Sequence, residues 1–393
     1  MHDEDHRVLR LVVAGAAAMA LAMGVGRFAF TPILPLMQEQ AGLAPEQGAL
    51  LATANYTGYL GGAVLALARP SVTSSPAAYR AGLAVQVATL ALMALSTSVP
   101  VWAAARLCSG AASALVFIAV AGAVAARLTP RSPSGGGWVY GGIGGGIALA
   151  GLLVLALEHL GTWATAWWAV AAAAAGLTVP AWFLPVGRAP VPAPAAGASS
   201  GRQRVAAAPP VPGPGVRRSF TALLISYFLE GMGYIIAGTF LVAAIRASAP
   251  AGIGSGAWVL VGLAALPSSA LYARLTRSFA PAAVLRAALL AQAAGMLLPA
   301  VLPGSAAALT AGVVYGATFL GIVSLAVSTG VAMGVPRAAA VLTIAFGVGQ
   351  VFGPLAAAPL LDRGYGAALV LGATIVALAA VPTLFMRRGA AGR

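Results

Sequence analysis

Three ionisable side chains stand inside long apolar stretches of the sequence: Arg27, Arg106 and Glu230. Arg27 is the only charged residue between Leu11 and Gln38. A guanidinium at such a depth of an apolar helix costs about 3 kcal/mol even on lenient insertion scales, and ionisable groups retained there generally serve a function. The three side chains are therefore the first candidates for a functional site.

The chemistry open to these residues follows from how they ionise. Arginine stays protonated and presents a planar fork that fits a carboxylate or a phosphate, so Arg27 and Arg106 are candidate anion anchors. A carboxylate can gain or lose a proton as its surroundings change, so Glu230 is the candidate proton-coupling residue. No cluster of catalytic side chains stands outside the apolar stretches, which argues against an enzyme. We expect no metal site and no cofactor.

Phenol groups flank the carboxylate at helical spacing. Tyr227 precedes Glu230 by three residues and Tyr234 follows it by four, which places all three on one face of a helix. On that face the phenols could orient the carboxylate or contact a solute. Two further pairs have a similar one-face spacing: Asn55 with Tyr59, and Tyr315 with Thr318.

The composition requires that helices in a membrane position these side chains. Hydrophobic residues make up 60% of the 393-residue chain and charged residues 8%, whereas about a quarter of a soluble domain is charged. A helix needs about 20 apolar residues to cross a bilayer, and continuously apolar segments favour helices over the alternating strands of a barrel. Twelve segments predict an all-α polytopic membrane protein: 9–37, 48–68, 80–98, 101–126, 136–157, 162–184, 219–245, 252–273, 282–302, 305–328, 338–360 and 367–386.

Twelve spans would divide the basic residues unequally between the two sides. The net charge is +14, and all 22 basic residues are arginines. Outside the spans, only Arg246 and Arg363 fall on the side opposite the chain ends. By the positive-inside rule both termini are predicted to be cytoplasmic, and the charge indicates topology rather than a nucleic-acid partner.

A Pro-, Ala-, Gly- and Arg-rich segment interrupts the spans once. Its composition is typical of a mobile linker. The sequence therefore predicts an N-terminal six-helix bundle over 1–185, a cytoplasmic linker over 186–218 and a C-terminal six-helix bundle over 219–393.

Glycine motifs recur in the two halves at nearly constant offsets, which favours a duplication. Two similar bundles joined by a linker are typical of secondary transporters. The matched motifs are Gly24-Val-Gly-Arg27 with Gly231-Met-Gly-Tyr234, Gly110 with Gly316, and Gly142-Ile-Gly144 with Gly347-Val-Gly349.

Several motifs resemble the major facilitator superfamily. They include Arg106-x-x-x-Gly110 in span four and the glycine-rich segment 140–146 in span five. GRFAFTPILPLM from Gly26, ANYTGYLGG from Ala54, YFLEGMGYIIAGTF from Tyr227 and GQVFGPL from Gly349 resemble its YbfB-like bacterial branch. The loop over 69–80 departs from the superfamily, because it lacks the usual Gly-x-x-x-Asp-Arg-x-Gly-Arg motif.

This resemblance implies the major facilitator fold, with two pseudo-symmetric six-helix bundles and a central cavity lined by spans one, four, seven and ten. It implies a secondary active transporter in the bacterial inner membrane that moves a small organic solute by alternating access with proton coupling. The two arginines favour an anionic solute, and a monomer is expected because one chain can hold a complete pathway. The implied site contains Glu230 for the proton and, for the solute, Arg27, Arg106, Tyr227, Tyr234, Asn55, Tyr59, Tyr315 and Thr318.

Several alternatives stay open at this point. Arg27 and Glu230 could instead form a structural latch between the bundles, and Arg106 could brace span four. The protein could be a drug/proton antiporter for amphipathic compounds, or a membrane sensor that transports nothing. The glycine clusters at 141–146 and 347–353 are interpreted as close-packing surfaces rather than as phosphate-binding loops.

Overall fold

The structure, a computed structural model, describes residues 2–128, 133–187, 213–250 and 252–386. Within these ranges twelve helices are long and apolar enough to cross a membrane, which confirms the predicted fold class. They are α1 (His6–Ala41), α2 (Pro45–Ala68), α3 (Pro76–Leu95), α4 (Val99–Leu128), α5 (Gly135–Leu157), α6 (Trp163–Ala181), α7 (Pro214–Arg246), α8 (Ile253–Ser278), α9 (Pro281–Val301), α10 (Ser305–Ala332), α11 (Ala338–Arg363) and α12 (Tyr365–Phe385).

Local capping sets the helix starts that hydrophobicity alone misplaces. α3 begins at Pro76, before the expected residue 80, because the side chain of Ser75 accepts a hydrogen bond from the backbone N–H of Ala78 and Pro76 suits the first turn. α7 begins at Pro214, inside the segment predicted to be linker, because proline also suits the first turn of this helix. Residues 188–212 lie outside the described ranges, so the limits of the linker and of the two domains stay predictions.

The two bundles consist of α1–α6 and α7–α12, and their internal contacts repeat. α1 packs on α5 as α7 packs on α11, and α2 packs on α4 as α8 packs on α10. The matched glycines lie at equivalent places in these contacts. A Cβ atom on Gly110 would collide with the backbone of Asn55 in α2, and one on Gly316 would collide with the backbone of Val261 in α8. The glycine motifs therefore mark close helix crossings, as small residues do in membranes.

Two helix pairs form the seams between the bundles, α2 with α11 and α5 with α8. The second seam depends on glycine, because a Cβ atom on Gly144 would lie 2.6 Å from the carbonyl oxygen of Gly262. The half of α1 that follows Phe30 also packs on α7. There Thr31 donates a hydrogen bond to the carbonyl of Gly238.

Charged residues join the bundles at the face opposite the chain ends, which we call the distal face. Arg246 at the end of α7 lies 3.0 Å from a carboxylate oxygen of Glu39 and 2.9 Å from one of Glu158. Glu158 also accepts a hydrogen bond of 3.0 Å from the Ser255 hydroxyl in α8. We call Arg246, Glu39 and Glu158 the distal ion cluster, and it holds the two bundles together on this face.

α1 is irregular just before Arg27. A π-helical turn spans Ala20–Val25, and such a turn leaves backbone carbonyls without their regular helical donors. The Ser113 hydroxyl of α4 donates to the carbonyl of Ala22, and the Ser109 hydroxyl donates to that of Gly26 at 3.2 Å. This turn fixes the direction in which Arg27 leaves the helix.

Candidate solute site between the bundles

Arg27 lies buried between the two bundles, with 2% of its surface exposed. Its Nη2 donates a hydrogen bond of 3.2 Å to Oε1 of Gln350 in α11, and its guanidinium lies 4.1 Å from the ring centroid of Tyr59 in α2. Among the described residues no carboxylate lies within 4.0 Å of it. The charge of Arg27 is therefore held in place by an amide and by ring faces, and it is not neutralised.

Gln350 connects Arg27 to the C-terminal bundle. Its Nε2 donates to the hydroxyl of Tyr234 in α7, so both ends of the amide are used. The Tyr315 hydroxyl of α10 in turn donates to the backbone carbonyl of Tyr234 at 3.1 Å. A hydrogen-bonded chain thus runs from α1 across the seam to α11, α7 and α10.

Six aromatic rings of the C-terminal bundle lie nearly parallel to their neighbours beside this chain, and we call them the aromatic column. Successive centroids are 4.4, 5.2, 5.3, 6.2 and 6.5 Å apart, and no interplanar angle in the series exceeds 27°. These distances connect, in order, Tyr227, Phe346, Tyr234, Phe319, Tyr315 and Trp258. Tyr234 and Tyr315 are also 6.5 Å apart, so with Phe319 they form a triangle of nearly parallel rings.

The N-terminal bundle presents a second aromatic wall to the column. Phe28 lies next to Arg27 in α1, and its ring lies 5.5 Å from that of Phe319 in an edge-on arrangement. Tyr56 and Tyr59 of α2 lie 5.3 and 4.1 Å from the Arg27 guanidinium. The rings beside Arg27 therefore belong to the N-terminal bundle, and Phe28 joins them to the aromatic column.

Glu230 lies on α7, and its hydrogen-bond partner belongs to the same, C-terminal bundle. It is buried, and in the orientation that satisfies both groups the Gln292 amide of α9 donates to its two carboxylate oxygens at 2.7 and 3.2 Å. Among the described residues it forms no ion pair with Arg27. The structure therefore gives no support to the latch alternative.

Arg106 binds the backbone of α1. Its two terminal nitrogens donate to the carbonyl oxygens of Gly26 at 3.3 Å and of Arg27 at 3.1 Å. Asn55 of α2 donates to the carbonyl of Arg106 at 2.9 Å. Arg106 and Asn55 thus join α4 to α1 and to α2, which is the bracing role considered as an alternative for Arg106.

Comparison with known proteins places this geometry in a family. The family model described as "Uncharacterised MFS-type transporter YbfB" matches residues 19–384. The chain belongs to this family. The fold is similar to that in the crystal structure of a mutant of the nucleoside transporter NupG, with a TM-score of 0.71 and 14% identity over 96% of this chain and 99% of that chain. The comparison with curated proteins gave no match.

Membership in this MFS-type transporter family confirms the resemblance to the YbfB-like branch. The family is one of transporters. Of the predicted solute-site residues, the structure brings together at the seam Arg27, Tyr59, Tyr227, Tyr234 and Tyr315. Thr318 instead donates to the carbonyls of Val314 and Tyr315 within its own helix.

Sequence reasoning overlooked several residues around Arg27, chiefly Gln350, Tyr56 and the apolar rings of the aromatic column. The glutamines inside the spans could have been recognised from the sequence as candidates. Gln86, Gln292 and Gln350 all lie fully buried within spans, where an uncharged polar side chain still needs a partner. Gln86 and Gln292 also share the repeat offset of the glycine motifs, in α3 and α9.

Proposed function

We propose that this transporter carries a small organic anion by alternating access between its two bundles, with proton coupling. The observation that supports the proposal most is the buried, unneutralised guanidinium of Arg27 at the seam. A buried charge without a counter-ion is costly, and a carboxylate on the solute would pair with the planar fork of the guanidinium. The solute would thus supply the charge that the described residues do not.

Alternating access requires a site that both bundles share and a face that can open. Arg27 belongs to the N-terminal bundle, whereas Tyr234 and Gln350 belong to the C-terminal one. The distal ion cluster joins the bundles on one side of this site. Separation at the distal face would expose the site to that side, in the manner of rocking bundles.

Proton coupling is assigned to Glu230 with its partner Gln292. The carboxylate lies on the same helix as Tyr227 and Tyr234, which belong to the aromatic column. A change in its protonation would alter the contact between α7 and α9, and α7 would transmit that change to the seam. The proton site would therefore share α7 with the part of the solute site that Tyr227 and Tyr234 form.

The orientation proposed is that of the positive-inside rule, with the face of the chain ends in the cytoplasm of a bacterium and the protein in its inner membrane. Arg7, Arg10 and Arg69 are exposed on that face. Both bundles belong to one chain, so a monomer is sufficient for the pathway.

Proteoliposomes that contain a pH-sensitive dye test this function. We expect small carboxylates, but not sugars or lipophilic cations, to drive proton movement. Arg27→Gln should abolish the response to carboxylates, whereas Arg69→Gln, which removes an exposed arginine, should retain it. Glu230→Gln should lose proton-driven flux and keep part of the solute exchange, with Glu46→Gln as the matched control.

Other outcomes would identify the alternatives. A response confined to lipophilic cations would favour a drug/proton antiporter and contradict the anion proposal. Saturable solute binding without flux in any direction would favour a membrane sensor. An unchanged pH dependence in Glu230→Gln would remove Glu230 from the coupling mechanism.

A further inference from the structure

We infer that the anion is a carboxylic acid on a planar ring, with a second hydrogen-bond acceptor on the far side of that ring. This inference rests on the proposed function, because it names the class of anion that Arg27 would bind. It starts from the rings around the guanidinium. Rings of the N-terminal bundle, those of Phe28, Tyr56 and Tyr59, lie within 5.5 Å of the Arg27 guanidinium, and rings of the C-terminal bundle lie nearly parallel to one another across the seam.

The aromatic column exceeds what helix packing needs. Apolar side chains such as leucine fill a membrane-protein interior equally well, whereas parallel rings present flat faces and edges that complement another ring. Phe319 and Tyr234 of the column lie on one side of the seam, and Phe28 and Tyr59 lie on the other. A planar solute that entered this seam would contact rings on both sides.

Two buried donors without partners indicate where polar groups of the solute would lie. Nε of Arg27 and Nε1 of Trp258 have no hydrogen-bond partner among the described residues, and Trp258 is 1% exposed. The ring of Phe28 is near both, 5.5 Å from the Arg27 guanidinium and 6.4 Å from the Trp258 ring. Buried donors are almost always paired in proteins, so each calls for an acceptor.

A ring with a carboxylate at one end and an acceptor at the other meets these requirements together. The carboxylate would bind Arg27, the ring would stack beside Phe28 and the column, and the second acceptor would receive the N–H of Trp258. A neutral planar solute would leave the charge of Arg27 unpaired. A lipophilic cation would be repelled by Arg27, and the carboxylate of Glu230 already accepts hydrogen bonds from Gln292.

Binding of four matched probes to the purified full-length protein tests the inference by titration calorimetry: 4-hydroxybenzoate, benzoate, cyclohexanecarboxylate and benzamide. We expect benzoate to bind about tenfold tighter than cyclohexanecarboxylate, since only the flat ring stacks. Benzamide, which keeps the ring and lacks the charge, should bind at least about tenfold weaker than benzoate. The hydroxyl of 4-hydroxybenzoate should add affinity.

Two variants assign the contacts. Phe319→Leu should remove the preference for benzoate over cyclohexanecarboxylate and leave the binding of cyclohexanecarboxylate within about twofold. Trp258→Phe should remove only the gain from the hydroxyl. Retention of the ring preference in Phe319→Leu would contradict the placement of the ring, and retention of the hydroxyl gain in Trp258→Phe would contradict the second acceptor.

The same titrations separate failure of this inference from failure of the proposed function. If benzoate and cyclohexanecarboxylate bound equally well and both lost binding in Arg27→Gln, the planar ring would be contradicted. The proposal of an anion carrier would still stand. Binding of benzamide or of a nucleoside at least as tight as that of benzoate would overturn both. Absence of binding by all the acids would likewise overturn both.

Discussion

Arg27 keeps its charge available because its closest polar partner is an amide. Gln350 accepts from the guanidinium with its oxygen and donates to Tyr234 with its nitrogen, so it orients Arg27 without neutralising it. A carboxylate at this position would orient the guanidinium equally well and would also compete with an anionic solute. Under the proposed function, the amide at residue 350 would leave the charge of Arg27 available to the solute.

Gln350→Glu tests this idea with a change of one functional group. The new carboxylate should pair with Arg27, lower the affinity for small carboxylates by at least about tenfold and raise the melting temperature, because a buried charge gains its counter-ion. Titration calorimetry and thermal unfolding in detergent would measure the two effects. Gln40→Glu is the matched control, since Gln40 is exposed and its oxygen already accepts from the backbone N–H of Trp163. An unchanged affinity for carboxylates in Gln350→Glu would indicate that Arg27 does not bind the solute.

The residues of the site differ in how visible they are in the sequence. Arg27 is recognisable because its charge conflicts with its apolar surroundings, and Tyr234 because it lies at helical spacing from another ionisable group. Trp258 and Phe319 are not recognisable in this way, because aromatic residues are common in membrane spans. Only the three-dimensional contacts show which of them belong to a site. Glu230 was recognised as ionisable, but its partner Gln292 comes from another helix, and no local pattern joins the two.

At the level of helices, α1 depends on α4 for its shape. The π-helical turn Ala20–Val25 precedes Arg27, and side chains of α4 bind the carbonyls around it. Helix positions follow from hydrophobicity and caps, so most of the spans could be predicted. The π-helical turn could not, because it persists through hydrogen bonds from a helix that lies far away in the sequence.

Arg106→Leu should destabilise the protein without altering the anion contact directly. Two carbonyls of α1 would lose charged donors, which corresponds to about 3 kcal/mol in the free energy of unfolding. Thermal unfolding in detergent should show a lower melting temperature, while the folded fraction should bind carboxylates within about threefold of the wild-type affinity. Arg69→Leu, at an exposed position, should leave the melting temperature unchanged. Complete loss of carboxylate binding at normal stability would instead make Arg106 an anion anchor.

For the whole molecule, the seam between α5 and α8 determines how closely the bundles approach. Gly144 faces the backbone of α8, whereas a Cβ atom on its neighbour Gly145 would meet only a side-chain atom of Leu266 at 3.9 Å. The repeated glycines made two bundles predictable. Which glycines pack within a bundle and which pack between bundles was not predictable, because both kinds have the same sequence pattern.

Gly144→Ala and Gly145→Ala form a matched pair at this seam. The first should force the bundles apart, lower the melting temperature and reduce transport severalfold, since backbone atoms of α8 cannot move aside. The second should be neutral or slightly stabilising, because alanine favours a helix over glycine by about 1 kcal/mol. Flux in proteoliposomes and thermal unfolding measure both. Equal melting temperatures and equal flux in the two variants would contradict the role of Gly144 in the contact between α5 and α8.

Arg246→Gln should weaken the closure of the distal face. Loss of the pairs with Glu39 and Glu158 removes contacts between the bundles, and a cost of about 1 kcal/mol would change the ratio of closed to open molecules roughly fivefold. Distances between spin labels at the distal ends of α1 and α7 should show a larger open population. Arg363→Gln, which removes an exposed arginine at the same face, should leave the distribution unchanged. If the closed population of Arg246→Gln equalled that of the wild type, contacts other than the distal ion cluster would hold this face closed.

The contact between Phe28 and Trp258 should make the intrinsic fluorescence of Trp258 sensitive to separation of the bundles. Trp258 is one of seven tryptophans, and its indole is shielded by a ring of the opposite bundle. When the bundles separate, water would reach that indole, so its emission should shift to longer wavelength and become accessible to aqueous quenchers. The difference in emission between wild type and Trp258→Phe would follow the transport cycle in real time, without any attached dye.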